Sequence, residues 1–486
     1  MAIVFTFVLN ALLNLVLGLA VAGVLGLEEY GRFAVASVVT FTLAGAGFEW
    51  LRLATTRFYG EAARAGEPAV RATLDLAYLG LTTAIVLIAL AILAFHLNTG
   101  LAPPLAAAAC IAGAASGLFE YKAALARARF LNRTYTILVI VKNIMTLTLM
   151  VAAGYFLKEA VWVLAALTLA VAISLAPVER VLRDDAAKPA LFDAARLTTF
   201  ARYGLPIVAG NVVYQLILLA NRSFAASAFG YAASGKLSLA TDLSLRLFVS
   251  VGAALDVLLF QMAVQAEVRG GRTAAHAQIA RNMLIILAVL VPMAIGYMVN
   301  LGPLESLVVP ERFQGDFAAL NLVLVPGIFL FCLGQFVFSP VFQLQHKTLP
   351  LVLAAILSLG IDAAGLALVP VSAGLDGIAM VHAASLGAGC IFTAALAWRW
   401  RDCFPPVRDV AGIFAAALLM LAAVWPLHAI ASPLLSLAAS GFLGAMVYVS
   451  ALLVLDIAAC RQWVAVKWME TAGNGRKPVQ AKDARR

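Results

Sequence analysis

At 486 residues the chain is long enough for several domains, yet 63% of it is hydrophobic and only 12% is charged. That leaves too little polar surface for a water-exposed globule of this size and excludes most soluble enzymes and binding modules. The net charge of +9 needs no nucleic acid partner, because basic loops at a membrane surface and contact with anionic lipid headgroups account for it.

A hydrocarbon core of roughly 30 Å takes about 20 helical residues to cross, with every backbone group satisfied inside the segment. Cutting the chain at its charged and Pro/Gly-rich punctuation predicts an all-α, polytopic membrane protein. About fourteen spans are expected, starting near residues 3, 33, 74, 101, 134, 159, 204, 236, 283, 318, 348, 374, 410 and 433. The Ala-rich stretches at 101–120 and 410–456 leave the count between twelve and fourteen. With residue 1 inside, 28 of the 34 basic residues fall in the inside segments 52–73, 122–142, 178–202, 264–282, 341–349, 398–409 and 457–486. Arg32, Lys158, Arg222, Lys236 and Arg312 are left to outside loops, and Arg246 to the interior of a span. The positive-inside rule then puts both termini in the cytoplasm.

The first apolar stretch lacks the basic n-region of a secretory signal and reads as an uncleaved helix. Five cysteines without a CxxC, and five scattered histidines without ligand spacing, argue against structural disulfides and metal chemistry. There is no GxxxxGK[ST], and no segment outside the membrane is large enough for a catalytic domain. The expectation is therefore no enzyme activity, no cofactor and no bound metal. The polar segment 178–202 reads as a cytoplasmic linker, and 461–486 as a basic cytoplasmic tail.

Polar side chains at membrane depth are costly and mark pathways. Asn10 and Asn14 lie one turn apart in the first span, Asn211 and Gln215 one turn apart in the seventh. With Tyr30 and Tyr231 they repeat at an offset of 201, which suggests an internal duplication of parallel halves. Asp242 and Arg246 are spaced to pair along the eighth span, and Arg246 sits too deep to snorkel. Glu49 and Arg52 form a second such pair at the inner end of the second span. Asp362 and Asp256 are candidate proton or cation sites. Gly113 and Gly117 suit close helix packing.

Three segments, 25–34 after the first helix, 47–59 closing the second, and 311–317 before the tenth, resemble the polysaccharide-exporting branch of the multidrug/oligosaccharidyl-lipid/polysaccharide flippase superfamily. These are the Wzx-type O-antigen and exopolysaccharide flippases. The resemblance implies two six-helix lobes in a V around a cationic cavity, 1–177 and 203–398, with two further helices in 399–460. It further implies alternating access in a bacterial inner membrane. The implied substrate is an undecaprenyl-diphosphate-linked oligosaccharide, carried from the cytoplasmic to the periplasmic leaflet for lipopolysaccharide or exopolysaccharide synthesis. Arg52 and Arg246 match helices on which related flippases carry cavity arginines, whereas the first helix has no arginine and holds Asn10 and Asn14, which favours a saccharide repeat unit over lipid II. Membrane lipids, a polysaccharide polymerase and glycosyltransferases are the partners it implies, with the chain itself a monomer.

On that reading Arg246 and Arg52 engage the pyrophosphate, Asp242 and Glu49 position them, and Asn10, Asn14, Asn211 and Gln215 bond sugar hydroxyls. Two rivals stay open. A cation-coupled multidrug antiporter needs an essential buried acid, Asp362 or Asp242. A membrane-embedded glycosyl polymerase needs a large charged outside loop, and the longest here, about 302–317, is short.

Overall fold

The computed structural model describes residues 2–345 and 347–457; the side chains of Asn10 and Asn14 and the tail 461–486 lie outside what it describes. The described residues form helices joined by short turns. These are α1 (Ala2–Leu25), α2 (Leu27–Phe58), α3 (Pro68–Ala94), α4 (Pro103–Ala128), α5 (Asn132–Phe156), α6 (Ala160–Leu182) and α7 (Ala194–Phe229). A 69-residue helical run, Tyr231–Val299, follows and is broken at Gly271, whose φ of +72° no helix tolerates. We label its arms α8 (231–270) and α9 (272–299). Asn282 of α9 donates to the Leu259 carbonyl of α8 at 2.7 Å, so the two arms lie against each other. Then come α10 (Asp316–Leu333), continued through a π-helical turn into Ser339–Leu344, α11 (Leu349–Leu368), α12 (Gly374–Ala397), α13 (Val407–Val424) and α14 (Pro433–Val454). The π turn directly precedes Pro340, which lacks the N–H a regular helix would use there.

Twelve of these runs are long and apolar enough to cross a bilayer, among the described residues. With the broken run holding two arms and α1 adding 24 residues, the expected all-α architecture of about fourteen helices is present. Lipid-facing surfaces read as exposed apolar rows. In α3, Leu79, Leu87, Ile88 and Leu90 are exposed while Tyr78, Ile85, Ala89 and Ile92 turn inward.

The helices extend further than the apolar spans alone suggest, and this corrects several placements. Arg222, expected in an outside loop, lies inside α7 and is 4% exposed. Lys142, counted with an inside loop, lies in the middle of α5. The segment 264–282 is helical apart from the break at Gly271. The linker shortens to 183–193 and is tied to neighbouring helices. The Tyr59 hydroxyl donates to Asp184 at 2.8 Å, and the Asp193 amide donates to Thr73 at 3.1 Å. Burial, and then the Asp184 contact, push the Tyr59 hydroxyl above the ordinary phenol range.

By compactness the chain divides into a larger unit, residues 1–254 with 304–399, and a smaller one, 255–303 with 400–486. In the smaller unit the Tyr448 hydroxyl of α14 donates to Ala288 of α9 at 2.8 Å, and Gly444 of α14 lies against Met420 and Val424 of α13.

The larger unit is organised about a crossing of α2 and α8. Gly26 (φ +78°) and Gly230 (φ +85°) each make the single-residue turn that starts these helices. Five residues on, Gly31 and Gly235 face one another. A Cβ at Gly31 would fall on the Tyr231 carbonyl, and one at Gly235 would come within 2.6 Å of the Leu27 carbonyl. The contact is reciprocal at an offset of 204. The same offset relates Thr40, bonded to the Ala109 carbonyl of α4, to Ser244, bonded to Asn321 of α10. It also relates Phe48, seated on Gly117 of α4, to Gly252, which receives Phe336. In this stretch the repeat read at 201 is therefore corrected to 204, with Tyr231 equivalent to Leu27 and not to Tyr30. The close packing expected of Gly113 and Gly117 is present, against Thr40 and Leu43 and against Phe48.

A Gly31→Leu substitution must push two backbones apart and is expected to destabilise by about 1–3 kcal/mol. Gly45→Leu, where an added Cβ meets nothing within 4 Å, is the matched control. Thermal melting of the purified protein in detergent should show a lower apparent Tm for the first variant and little change for the second.

Candidate functional site

A cavity of about 520 Å³ lies within the larger unit, walled by α1, α2, α4, α5, α6, α7 and α8. Along α2 it runs from Tyr30 to Ala44, a depth of about 21 Å at 1.5 Å per helical residue. Its wall contains three cations, Lys142, Arg222 and Arg246, and two acids, Glu120 and Asp242, with Ser37, Thr146, Gln215 and Ser250 among its polar groups. Such a density of charge between membrane-spanning helices requires internal partners.

Arg222 has the most closely defined environment. Its Nη2 donates to Asp242 of α8, and its Nη1 donates to the Ala34 carbonyl of α2 at 3.0 Å. Its Nε is buried and meets no acceptor. The Arg222 carbonyl in turn accepts from Ser234 at 2.9 Å, which locks the end of α7 to the start of α8. Arg246 stands one turn beyond Asp242, its guanidinium over Gly18 of α1, where an added Cβ would lie 3.6 Å from Nη1. Gly18 thus makes room for the cation. The buried Tyr30 hydroxyl lies within electrostatic reach of Asp242, Arg246 and Arg222. Elsewhere in the wall Lys142 places its ammonium 5.1 Å from the centre of the Phe119 ring, within electrostatic reach of Glu120.

Among the residues the sequence singled out, Arg246, Asp242 and Gln215 line this cavity. Asp242 also forms an ion pair across helices, with Arg222 of α7. Asn211, one turn before Gln215, is exposed and outside the lining. Glu49 and Arg52 do bond to each other, Nε to Oε2 at 2.7 Å. They are half-buried and stand outside the cavity wall, with Glu120 linking Arg52 to it electrostatically. Asp362 is fully buried in a separate cluster. Asn221 donates to it at 2.9 Å, Ser385 at 3.2 Å, and the His382 ring lies 3.8 Å away. Asp256 is partly exposed in the smaller unit. No group of three or more metal-ligating side chains occurs among the described residues.

Arg222, Lys142, Glu120 and Tyr30 were missed as site residues. A signal existed for two of them. Gly230 is a natural helix terminator, so a helix ending there holds Arg222 two turns inside. Lys142 is flanked by Val139, Ile140, Val141 and Ile144, which argues for a span and against a loop.

No family model and no curated protein matches the sequence. Among solved structures, "Lipid II flippase MurJ, inward closed conformation" matches with a TM-score of 0.71 at 12% identity, covering 93% of this chain and 98% of the other. An inward-facing multidrug resistance MATE family transporter of the MOP superfamily matches with a TM-score of 0.62 at 15% identity, covering 81% and 94%. At these identities the likeness is one of fold, and the fold of this chain is that of the lipid II flippase and of the MATE transporters of the MOP superfamily.

Proposed function

We propose that this chain is a flippase for saccharides linked to a polyprenyl diphosphate. On this reading it carries repeat units for O-antigen or exopolysaccharide synthesis across a bacterial inner membrane by alternating access of the lobes 1–177 and 203–398. The supporting observation is the cavity wall itself, in which Arg246, Arg222 and Lys142 face a space that also presents acids, hydroxyls and an amide. A diphosphate needs charge-assisted donors, and a sugar needs both donors and acceptors. A saccharide diphosphate cannot enter hydrocarbon unaided, whereas a polar path between helices admits it while its lipid tail stays in the bilayer.

In this proposal Arg246 binds the pyrophosphate, with Arg52 and Glu49 lying along the path deeper on α2. Gln215, with Asn10, Asn14 and Asn211, bonds saccharide hydroxyls. The absence of arginine from α1 favours a saccharide repeat unit over lipid II. The rival reading, a cation-coupled multidrug antiporter, draws on one specific observation, the buried Asp362. The five charged side chains of the cavity wall are what favours an anionic headgroup over an uncharged drug.

Three outcomes test these assignments. In liposomes carrying an undecaprenyl-diphosphate oligosaccharide, Arg246→Ala should slow transfer between leaflets at least ten-fold, since a hydrogen bond to a charged group contributes about 1.5–3 kcal/mol. Unaltered transfer by well-folded mutant protein would remove Arg246 from the site. Asp362→Asn should leave transfer intact in the absence of an ion gradient, and loss of gradient-driven drug efflux in the same variant would instead support the antiporter. Reporter phosphatase fused within 183–193 should be inactive and within 95–102 active; the reverse pattern would invert the proposed orientation.

A further inference from the structure

We propose that Arg222 is an anion-released latch that holds the glycine-turn end of the cavity closed until a diphosphate enters. The inference rests on the flippase reading, and it assigns to Arg222 a task distinct from binding substrate at Arg246.

The latch follows from which helices the guanidinium joins. Nη2 reaches Asp242 on α8, within the same half of the chain as α7, while Nη1 reaches the Ala34 carbonyl on α2, in the other half. One side chain therefore ties the two halves together, next to the Gly31–Gly235 crossing and only one turn from it along α2. Opening this end requires α2 to leave the α7–α8 pair, which breaks the bond to Ala34. Arg222 is 4% exposed, so breaking that bond leaves a buried donor to be satisfied anew.

The same side chain carries the means of release. Nε is buried, without an acceptor, in a residue that lines the cavity. A guanidinium binds phosphate best through two parallel N–H groups. A diphosphate attracted by Arg246 would compete with Asp242 and Ala34 for the guanidinium of Arg222, whose Nε has no acceptor to give up. A neutral lipid offers no such competition. Asp242 sets the threshold, since its carboxylate balances Arg222 while the cavity holds no anion and loses its partner when an anion takes over. A ligand shifts such an equilibrium only by its difference in affinity for the two states, and this competition supplies the difference.

Spin labels at Glu28→Cys on α2 and Ser227→Cys on α7, both exposed, report separation of the two halves at this end by pulsed dipolar spectroscopy. The full-length protein in lipid nanodiscs is measured alone, with farnesyl diphosphate, and with farnesol as the uncharged control. The unliganded protein should show one short distance. Farnesyl diphosphate should raise the ratio of separated to closed molecules roughly ten-fold, the scale of one charged hydrogen bond, and farnesol should leave it unchanged. Asp242→Asn, which keeps Arg222 but weakens its anchor, should show the separated population without ligand. Arg222→Gln should show it too, and should no longer respond to the diphosphate. An unchanged distance on adding farnesyl diphosphate, or a closed distance in both variants when they elute as monodisperse protein, overturns the latch. Transfer activity is read separately. Normal flipping with no distance change defeats the latch alone, whereas diphosphate-driven separation in a protein that flips no saccharide defeats the flippase reading alone.

Discussion

A guanidinium cannot be left without partners among membrane helices, and the larger unit is arranged around the partners that Arg222 receives. Desolvating an ion from water to a low-dielectric interior costs several kcal/mol even after relaxation, and it is recovered only when the geometry of charge and hydrogen bonding is good. Here the recovery draws on three helices at once. Asp242 comes from α8, the Ala34 carbonyl from α2, and α7 holds the arginine itself. The Ala34 carbonyl serves because α2 approaches closely, and α2 approaches closely because Gly31 and Gly235 remove both side chains from the crossing. Charge burial and helix packing at this end are therefore one constraint. A side chain at either glycine would part the backbones and strand the guanidinium.

The outer fringe of the same region is tied by weaker, more exposed contacts. Lys236 bonds Asp316 at 2.6 Å, Arg32 bonds Glu28 and Glu29, and Glu29 also accepts from the Ala160 amide at 2.8 Å. Exposed pairs of this kind contribute little each. Two of them link a helix start to a neighbouring element, Glu29 of α2 to the start of α6 and Lys236 of α8 to the start of α10, while the Arg32 pairs stay within α2. Across the pseudo-repeat the partners differ in kind. Arg32 finds acids within its own helix, while Lys236, its equivalent at an offset of 204, reaches across to α10. In these two stretches the glycine turns and crossing contacts correspond at this offset, and the charged partners do not.

The helices, their order and the close packing at Gly113 and Gly117 were legible in the sequence because each depends on local pattern: apolar length, terminators and small residues. The charged site was legible only in part. Arg246 stood out by its depth in an apolar run, and Asp242 by its distance of one turn. That i,i+4 rule describes neighbours along one helix and is silent about a neighbour on another, so it matched Asp242 with Arg246 and overlooked Arg222. Arg222 was further disguised by lying eight residues before Gly230, close enough to a helix end to be counted with a loop. Lys142 was lost in the same way, as a cation assigned to topology. Counting basic residues by loop assigns an expected orientation, but it hides those cations that the fold draws inward.

Adjacent residues of α7 serve two different clusters, and this ties the cavity to the buried acid behind it. Arg222 faces Asp242 and α2, while Asn221, about 100° round the helix, donates to both carboxylate oxygens of Asp362 at 2.9 Å. Asp362 has no arginine or lysine among its described partners. It is held by an amide, a hydroxyl and a nearby imidazole. Because the two contacts sit on one stretch of helix, a rotation of α7 that lengthens one also shifts the other. Their chemistry differs: an ion pair with a backbone carbonyl at Arg222, and neutral donors to a carboxylate at Asp362. A movement of α7 therefore cannot disturb the Arg222 contacts without also disturbing those of Asn221 with Asp362.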